Sequence, residues 1–424
     1  MPRAHDPELA RLAAANVVAA LRARGHAAYF AGGCVRDLLL GLRPTDFDVA
    51  TDAPPARVRE LFRSTSEVGA AFGVVLVRLD GCAIEVATFR SDGPYSDARR
   101  PDAVTFSDAR GDAQRRDFTI NALFLDPERW HGVARGDLGD GVIDYVGGLN
   151  DLRARVVRAV GDPHARLAED HLRALRAVRF AARLGFTLDA ETGAAIGAHA
   201  RELRGVSRER IGEELRRMFA PGAGRSAAAG MLVELGLDAP VLDEPSRVAT
   251  VATLAALPDG AAFATCLGAW ALDRHAAPAA VLRAGEIDAV ARRWRRALCL
   301  SNDESEAIRT ELEILEMLAG GWLSAGVAPQ KRLVARAGFE SAMSLLELRR
   351  PDLVHPVRAR MRELHGIAGG ISPEPLLTGD DLVAGGARPG PIFGRVLAAV
   401  YDAQLEGRVT NKAEAMELAK RMGV

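Results

Sequence analysis

The most informative stretch of this 424-residue chain reads Gly32-Gly33-Cys34-Val35-Arg36-Asp37 and continues with Asp46-Phe47-Asp48. Side chains two residues apart on a β-strand share a face, so a strand here presents Asp46 and Asp48 side by side. Two carboxylates on one face suit a magnesium ion. The Gly32-Gly33 turn opens a predicted helix whose free N–H groups favour phosphate, and Arg36 in its first turn can reach a triphosphate oxygen. Taken alone, the aspartate pair also fits a solvated turn or a helix cap.

A third carboxylate follows on a neighbouring predicted strand. Residues 74–79 and 83–89 read as two strands joined by a tight turn at Asp80 and Gly81. Glu85 lies among apolar residues of the second strand, where it could serve as a further metal ligand or help deprotonate a hydroxyl. Two metals bridged by Asp46, Asp48 and Glu85 would support in-line nucleotidyl transfer.

The composition is that of an ordinary globular protein, with 48% hydrophobic and 26% charged residues. The length suggests two to four domains at roughly 150 residues each. A net charge of -1 neither demands nor excludes a nucleic-acid partner, because a local basic stripe can serve in a neutral molecule. The four dispersed cysteines argue against a disulfide framework or a structural zinc site. Since no run approaches the roughly 20 apolar residues that cross a bilayer, we expect a cytoplasmic protein without a membrane segment.

The two halves of the chain differ in their secondary-structure signals. Up to about Gly161 the pattern predicts mixed α and β structure, with a polar, flexible loop over residues 91–114. From Pro163 onward, Ala, Leu, Arg and Glu recur with helical periodicity, as in residues 167–184 and 208–219. The second half is therefore predicted to be mostly helical.

A second candidate group is Arg115-Arg116-Asp117, directly after the polar stretch. The two arginines could bind phosphate or stack on a base, and Asp117 could orient one of them. A helix cap at Asp117 beside exposed arginines fits the same residues.

A third group lies in residues 169–180, which we predict to be helical. Asp170 and Arg173 are three residues apart and so share a helix face, where they offer an acceptor beside a fork of donors. Cytosine and adenine both present an amino donor next to a ring-nitrogen acceptor, so this pair could read either base and reject uracil and guanine. Arg176 and Arg179 continue the spacing. An ion pair on a solvated helix face is the simpler alternative.

Several basic clusters could follow an RNA backbone, because phosphate contacts need only positive charge. Each also fits a solvated helix face, and the sequence does not rank them. The clusters are Arg201 to Arg217, Arg292 to Arg296 around Trp294, Lys331 to Arg336 and Arg349 to Arg362.

The order of these motifs resembles the class II tRNA nucleotidyltransferase and bacterial poly(A) polymerase family. The resemblance is close over roughly residues 26–190 and weaker near 376–394. The matching stretches are YFAGGCVRDLLLG (29–41), TDFDVAT (45–51), IEVATFR (84–90), RRDFTINAL (115–123), DYVGGLNDL (144–152), VVRAVGDP (156–163) and EDHLRALRAVRFAARLGF (169–186).

The resemblance implies an α+β fold, with a small mixed sheet in a polymerase-β-like head and all-α neck, body and tail domains. The expected boundaries are 1–160, 161–220, 221–340 and 341–424. By this likeness, magnesium is held by two aspartates, and the nucleotide is contacted by the Gly-Gly turn and by arginines and two further aspartates of three motifs. These residues are Asp46 and Asp48 for the metal, and Gly32, Gly33, Arg36, Arg116, Asp117, Asp170, Arg173, Arg176 and Arg179 for the nucleotide.

The family implies addition of C, C and A from CTP and ATP to the 3′ end of tRNA, without a nucleic-acid template or an obligate protein partner. An A-adding enzyme and a poly(A) polymerase remain as alternatives. The Gly69–Gly73 stretch lacks the basic segment expected of the polymerase, and the C-terminus lacks a long basic run. A catalytically silent RNA-binding protein is a further alternative, which the intact Asp46, Asp48 and Glu85 disfavour.

Overall fold

The computed structural model describes residues 6–67, 73–95, 101–130, 141–247, 250–367 and 369–423. Most of the Gly69–Gly73 stretch and residues 96–100 of the polar stretch lie outside these ranges. The chain forms two compact units, one of Met1–Met218 with Met231–Glu244 and one of Phe219–Gly230 with Pro245–Val424. The four-domain boundaries expected above stay a prediction.

All strands of the described chain lie in the first unit. They are β1 (Ala28–Ala31), β2 (Asp48–Thr51), β3 (Thr65–Glu67), β4 (Val74–Leu79), β5 (Cys82–Thr88), β6 (Arg90–Asp92), β7 (Val104–Phe106), β8 (Phe124–Leu125), β9 (Val142–Ile143), β10 (Val156–Val157) and β11 (Thr187–Leu188). Seven of them form one mixed sheet in the order β3-β4-β5-β2-β1-β8-β9. Strands β6 and β7 pair with each other, as do β10 and β11.

The register of the sheet places two predicted carboxylates side by side. Strand β2 runs parallel to β5 with Asp48 opposite Glu85, whereas β1 pairs antiparallel with β2 and with β8. The predicted turn between β4 and β5 is present, with positive φ angles of 51° at Asp80 and 79° at Gly81. Aromatic packing fixes the sheet from one side, where Phe89 and Phe124 meet edge to face at 5.8 Å.

The first unit also contains helices, some of which pack on this sheet. They are α1 (Pro7–Arg22), α2 (Gly33–Leu39), α3 (Pro55–Leu61), α4 (Ala109–Gln114), α5 (Gly148–Ala154), α6 (Pro163–Glu169), α7 (Arg173–Leu184), α8 (Ala190–Ala198), α9 (Arg208–Met218) and α11 (Asp238–Leu242). Short 3-10 turns occur at Thr119–Asn121 and Ala200–Gly205. Helix α1 begins at Asp6, whose side chain accepts the Glu8 N–H, and its apolar face packs on β1, β2 and β5.

The polar stretch predicted as a flexible loop contains regular structure in its described part. Strands β6 and β7 form a hairpin with Ser91 opposite Thr105, and α4 follows with Asp108 as its cap. Helix α4 buries Ala109 and Ala113, four residues apart, in the same hydrophobic cluster as Phe89 and Phe124, but two small side chains are too weak a periodic signal to predict a helix. Asp112 on α4 is only 1% exposed and bonds two arginines.

The regular secondary structure in the described residues of the second unit is entirely helical, as the periodicity predicts. Its helices are α12 (Ala252–Ala256), α13 (Phe263–His275), α14 (Ala284–Ala297), α15 (Asn302–Ala319), α16 (Val327–Val334), α17 (Phe339–Arg349), α18 (Pro351–Gly366), α19 (Gly379–Ala384), α20 (Ile392–Leu405) and α21 (Lys412–Arg421), with a 3-10 turn at Trp322–Ser324. Helix α10 (Arg225–Glu234) contains the junction between the units at Gly230. Trp270 and Trp294 are fully buried in this unit, with ring centroids 5.7 Å apart.

The α+β prediction is confirmed, with a mixed sheet in the N-terminal part followed by helices. All four cysteines are free thiols, in agreement with the argument against a disulfide framework. Within the ranges that the structure describes, no helix is both long enough and apolar enough to span a bilayer.

Candidate active site

A polar cavity of about 550 Å³ opens in the first unit and collects the predicted site residues. Both predicted metal-binding aspartates and every predicted nucleotide-binding residue line it. Glu85 does not line it. The lining consists of Gly32, Gly33, Cys34, Arg36, Asp37, Pro44, Thr45, Asp46, Asp48, Arg115, Arg116, Asp117, Asn121, Asp170, Arg173, Arg176, Arg179, Phe180 and Arg183.

The Gly-Gly turn leads directly from β1 into α2 at one wall of this cavity. Gly32 has a φ of 75°, and a Cβ atom there would lie 2.9 Å from Nη1 of Arg116. Both the backbone conformation and the close approach of the guanidinium therefore require glycine. One turn later, the buried Arg36 donates to Asp37 at 2.8 Å and to Oδ1 of Asn121 at 2.5 Å.

The paired aspartates lie at the N-terminal end of the central strand β2, but not both on the strand as predicted. Strand β2 begins at Asp48, and Asp46 lies two residues before it in an exposed position. Burial raises the pKa of Asp48 to about 6, and the charges of Glu85 and Asp46 act in the same direction. The carboxylates thus crowd negative charge that a bound cation would relieve.

Glu85 neighbours Asp48 across the β2–β5 pair but is exposed. Among the described residues, no three His, Cys, Asp or Glu side chains converge closely enough to hold a metal by themselves. The bridging of metals by Asp46, Asp48 and Glu85 therefore stays a prediction. Asp46 and Asp48 remain the two oxygen ligands available in the cavity.

The two adjacent arginines are oriented by Asp112, and the prediction that Asp117 orients one of them is wrong. Arg115 donates to Asp112 at 2.6 Å, and Arg116 donates to its other oxygen at 2.9 Å. Burial opposes ionisation of Asp112, but the two arginines hold its pKa below the usual range. Arg116 also donates to the backbone carbonyl of Asn121 at 3.0 Å, so its position is fixed from two sides.

Asp117 instead links the segment before the 3-10 turn Thr119–Asn121 to helix α7. Its Oδ2 accepts two bonds from Arg176, at 2.7 and 2.9 Å, and its Oδ1 accepts the Asn121 amide at 3.1 Å. Burial opposes the charged form, yet Arg176 and Asn121 hold the pKa of Asp117 at about 2. The carboxylate is therefore ionised at neutral pH and serves as a fixed counter-charge for Arg176.

Asp170 and Arg173 both line the cavity, but they are not on one helix as predicted. Helix α6 ends at Glu169 and α7 begins at Arg173, with Asp170 extended between them at φ −154° and ψ 105°. Asp170 accepts the Leu172 N–H at 3.1 Å, which satisfies a free donor at the start of α7. The bond from Leu172 orients the Asp170 side chain, which periodicity alone does not reveal.

Several partners that hold the site were missed from the sequence. Glu214 of α9 is 3% exposed and accepts from Arg179 at 2.7 Å. Glu169 bonds Arg173, and Arg183 contacts Asp37 at 3.3 Å. The helical periodicity of residues 208–219 predicts α9, but nothing in it indicates that a glutamate would be buried against an arginine 35 residues earlier.

The cavity contains both kinds of charge. Asp46 and Asp48 favour a cation, while seven arginines supply donors for a polyanion. The arginines are Arg36, Arg115, Arg116, Arg173, Arg176, Arg179 and Arg183. This combination of a carboxylate pair and an arginine-rich wall suits a metal-bound nucleoside triphosphate.

A mixed sheet with paired aspartates at the end of its central strand, together with an arginine-rich cavity, defines the protein as a nucleotidyltransferase. The chain matches two families, the "Poly A polymerase head domain" over residues 28–158 and the "Probable RNA and SrmB- binding site of polymerase A" over residues 185–247.

The chain belongs to the family of CCA-adding enzymes. It is 33% identical over 416 residues to the CCA-adding enzyme of Lacticaseibacillus paracasei, covering 97% of this chain and 95% of that one. It is 34% identical over 421 residues to that of Levilactobacillus brevis, covering 98% of each. The Bacillus stearothermophilus CCA-adding enzyme, solved in complex with CTP, has a TM-score of 0.67 at 28% identity, covering 97% of both chains.

The Gly32→Ala variant tests the close approach of Arg116 to the turn. The native backbone would hold the new alanine at a positive φ, which costs about 1–2 kcal/mol of stability. The added Cβ would also displace the Arg116 guanidinium. Gly25→Ala is the matched control, because Gly25 has a φ of 84° and a Cβ added there would meet no atom within 4 Å. We expect both variants to lose similar stability in thermal unfolding and only Gly32→Ala to lose affinity for a nucleoside triphosphate by calorimetry. Equal affinity in the two variants would contradict the role given to this contact.

The Asp117→Asn variant tests the buried ion pair with Arg176. Because the folded-state pKa of Asp117 is depressed to about 2, its contribution is full above about pH 4 and is lost as the pH falls toward 2. We expect the free energy of unfolding in urea at pH 7 to be about 2–4 kcal/mol lower in the variant than in the parent. This difference should become smaller between pH 4 and pH 2. A difference that stays constant over that range would exclude the pair as its cause. Asp52→Asn, at an exposed position, is the control.

Proposed function

We propose that this chain adds C, C and A to the 3′ end of tRNA from CTP and ATP, with release of pyrophosphate and without a nucleic-acid template. One observation carries the proposal: a single cavity holds the carboxylate pair, the arginine wall and the Asp170 and Arg173 side chains. The full-length similarity to CCA-adding enzymes supports it. A tRNA substrate supports a reaction in the cytoplasm.

Nucleotidyltransferases of this type use divalent metal ions. We assign magnesium to Asp46 and Asp48, whose hard oxygen donors and crowded negative charge fit that ion. When bound, the metal stabilises the charge that develops on the reacting phosphate and polarises the attacking hydroxyl. Glu85, beside Asp48 in the sheet, is assigned as an outer carboxylate that supports this centre or accepts the hydroxyl proton.

The arginine wall binds and orients the triphosphate. Gly32 and Gly33 have no side chains, so phosphate can approach the backbone of the turn closely. Arg36 is held in place by the buried Asn121 and Arg116 by the buried Asp112. Fixed guanidinium donors cost little reorganisation when charge develops during transfer. Arg176 and Arg179, anchored by Asp117 and Glu214, extend the same wall toward the base.

Base selection is assigned to Asp170 and Arg173. The carboxylate accepts from the amino group of cytosine or adenine, and the guanidinium donates to the adjacent ring nitrogen. Uracil and guanine would set a carbonyl against the carboxylate and an N–H against the guanidinium, which leaves buried groups unpaired. The protein itself is then the template.

In the reaction, the terminal 3′-oxygen of the tRNA attacks the α-phosphorus of the bound nucleotide. The new bond joins O3′ to the α-phosphorus, the bond to the bridging oxygen of the β-phosphate breaks, and pyrophosphate leaves with that electron pair. The hydroxyl proton passes to a carboxylate or to solvent. The chain's arginines neutralise the departing pyrophosphate.

Several residues of the basic clusters are already bonded within the protein or buried, so fewer of them can contact the tRNA backbone. Arg210 is bonded to Asp170, Arg208 donates to the Pro240 carbonyl, and Lys331 and Trp294 are fully buried. Exposed arginines that remain available to a phosphate backbone include Arg201, Arg204, Arg292 and Arg296.

Asp46→Ala tests the metal-binding assignment. We expect incorporation to fall by on the order of a thousandfold or more, because several kcal/mol of charge stabilisation are lost, while tRNA binding measured by filter retention is preserved. Asp52→Ala, which removes an exposed aspartate at the far end of β2, should retain activity. Loss of tRNA binding in Asp46→Ala would make Asp46 a structural residue and refute the assignment.

Asp170→Ala tests base selection. With the acceptor removed, we expect the preference for CTP and ATP over UTP and GTP to fall more than the rate of the chemical step, measured by single-turnover incorporation on one tRNA transcript. An unchanged preference would show that Asp170 does not select the base.

A further inference from the structure

We propose that Arg210, on α9, is a positioning residue for base selection that acts by fixing the carboxylate of Asp170. The proposal rests on the proposed function, because it concerns the side chain to which we assign recognition of the amino group. Arg210 is absent from the cavity lining, whereas Asp170 lines it. Arg210 therefore contacts the selecting residue from behind and would not touch the nucleotide.

Two bonds from different parts of the chain hold Asp170. Oδ1 accepts the Leu172 N–H at 3.1 Å, and Oδ2 accepts from Nη2 of Arg210 at 2.7 Å. Both side chains of the ion pair are largely shielded, with 15% of Asp170 and 23% of Arg210 exposed. A charge-assisted bond of this length is among the stronger ones in proteins, and shielding limits screening by salt.

The turn between α6 and α7 makes such a support necessary. Asp170 is extended and belongs to neither helix, so no helical neighbour restricts its side chain. The terminal torsion of an aspartate is intrinsically broad, and an acceptor that rotates does not distinguish an amino group from a carbonyl oxygen sharply. Each carboxylate oxygen keeps a further lone pair, so the bonds to Leu172 and Arg210 leave acceptor capacity for the base.

The donor of the selecting pair is held separately. Arg173 bonds Glu169 of α6 and donates to the Arg166 carbonyl at 2.7 Å. The acceptor is thus fixed from α9 and the donor from α6. Loss of Arg210 should consequently weaken recognition of the amino group and leave the Arg173 contact to the ring nitrogen in place.

The test compares CTP with the triphosphate of 2-pyrimidinone riboside, which carries hydrogen in place of the 4-amino group. The ratio of kcat/KM for the two nucleotides on one tRNA transcript reports amino-group recognition. We expect Arg210→Ala to lower this ratio by about tenfold, as for loss of a charge-assisted bond, and Arg210→Lys to restore part of it. Arg24→Ala removes an exposed arginine of the same unit that has no role in the site and should leave the ratio unchanged.

Asp170→Ala and the double variant separate the possible failures. If Arg210 acts through Asp170, adding Arg210→Ala to Asp170→Ala should change the ratio no further. A parental ratio in Arg210→Ala and Arg210→Lys, or a fully additive loss in the double variant, would overturn the proposal. A parental ratio in Asp170→Ala would instead refute the assignment of base selection to Asp170. Melting curves identify any unfolded variant, and Arg210→Gln, which keeps a donor on a shorter stem, then replaces Arg210→Ala.

Discussion

Repulsion among arginines is the constraint on which the site depends. Seven arginine side chains share the lining of one cavity, and a protein interior tolerates such a group only when counter-charges lie close behind it. Asp112, Asp117 and Glu214 are the main counter-charges, each largely shielded from solvent and each bonded to one or two of these arginines. They come from three separate segments, so the cavity forms only when the sheet and helices α4, α7 and α9 are assembled.

This constraint also explains how the site is prepared for its substrate. Because each of these guanidinium groups is held by a carboxylate, the wall keeps donors in fixed positions before any polyanion binds. Burial raises the pKa of Asp48 and the charge of Glu85 adds to this rise, although Arg116 acts in the opposite direction. A metal-bound triphosphate supplies a cation for the paired aspartates and a polyanion for the arginines.

Local elements can be predicted well from the sequence, and long-range partners poorly. The strand, the Gly-Gly turn and α2 follow from spacing and from the turn chemistry of Gly32, and the chemical types in Asp46 and Asp48 point to a metal. Asp112 lies in a stretch whose polar composition suggested a loop. The short helix α4 has only small apolar side chains, so its periodic signal is weak. Asp117 and Arg176 are 59 residues apart, and only the fold brings them together. Periodicity also carried the predicted helix across Asp170, because Asp170 to Leu172 interrupt it for only three residues.

The decisive measurement is extension of three tRNA transcripts, ending at the discriminator base, at C and at CC, with each nucleotide alone and with CTP plus ATP. We expect completion of CCA on all three transcripts, followed by arrest. Addition of a single A to the CC-ending transcript alone would make the chain an A-adding enzyme, and long A tails would make it a poly(A) polymerase. No incorporation with magnesium present would contradict the proposed reaction and leave an RNA-binding protein without catalytic activity.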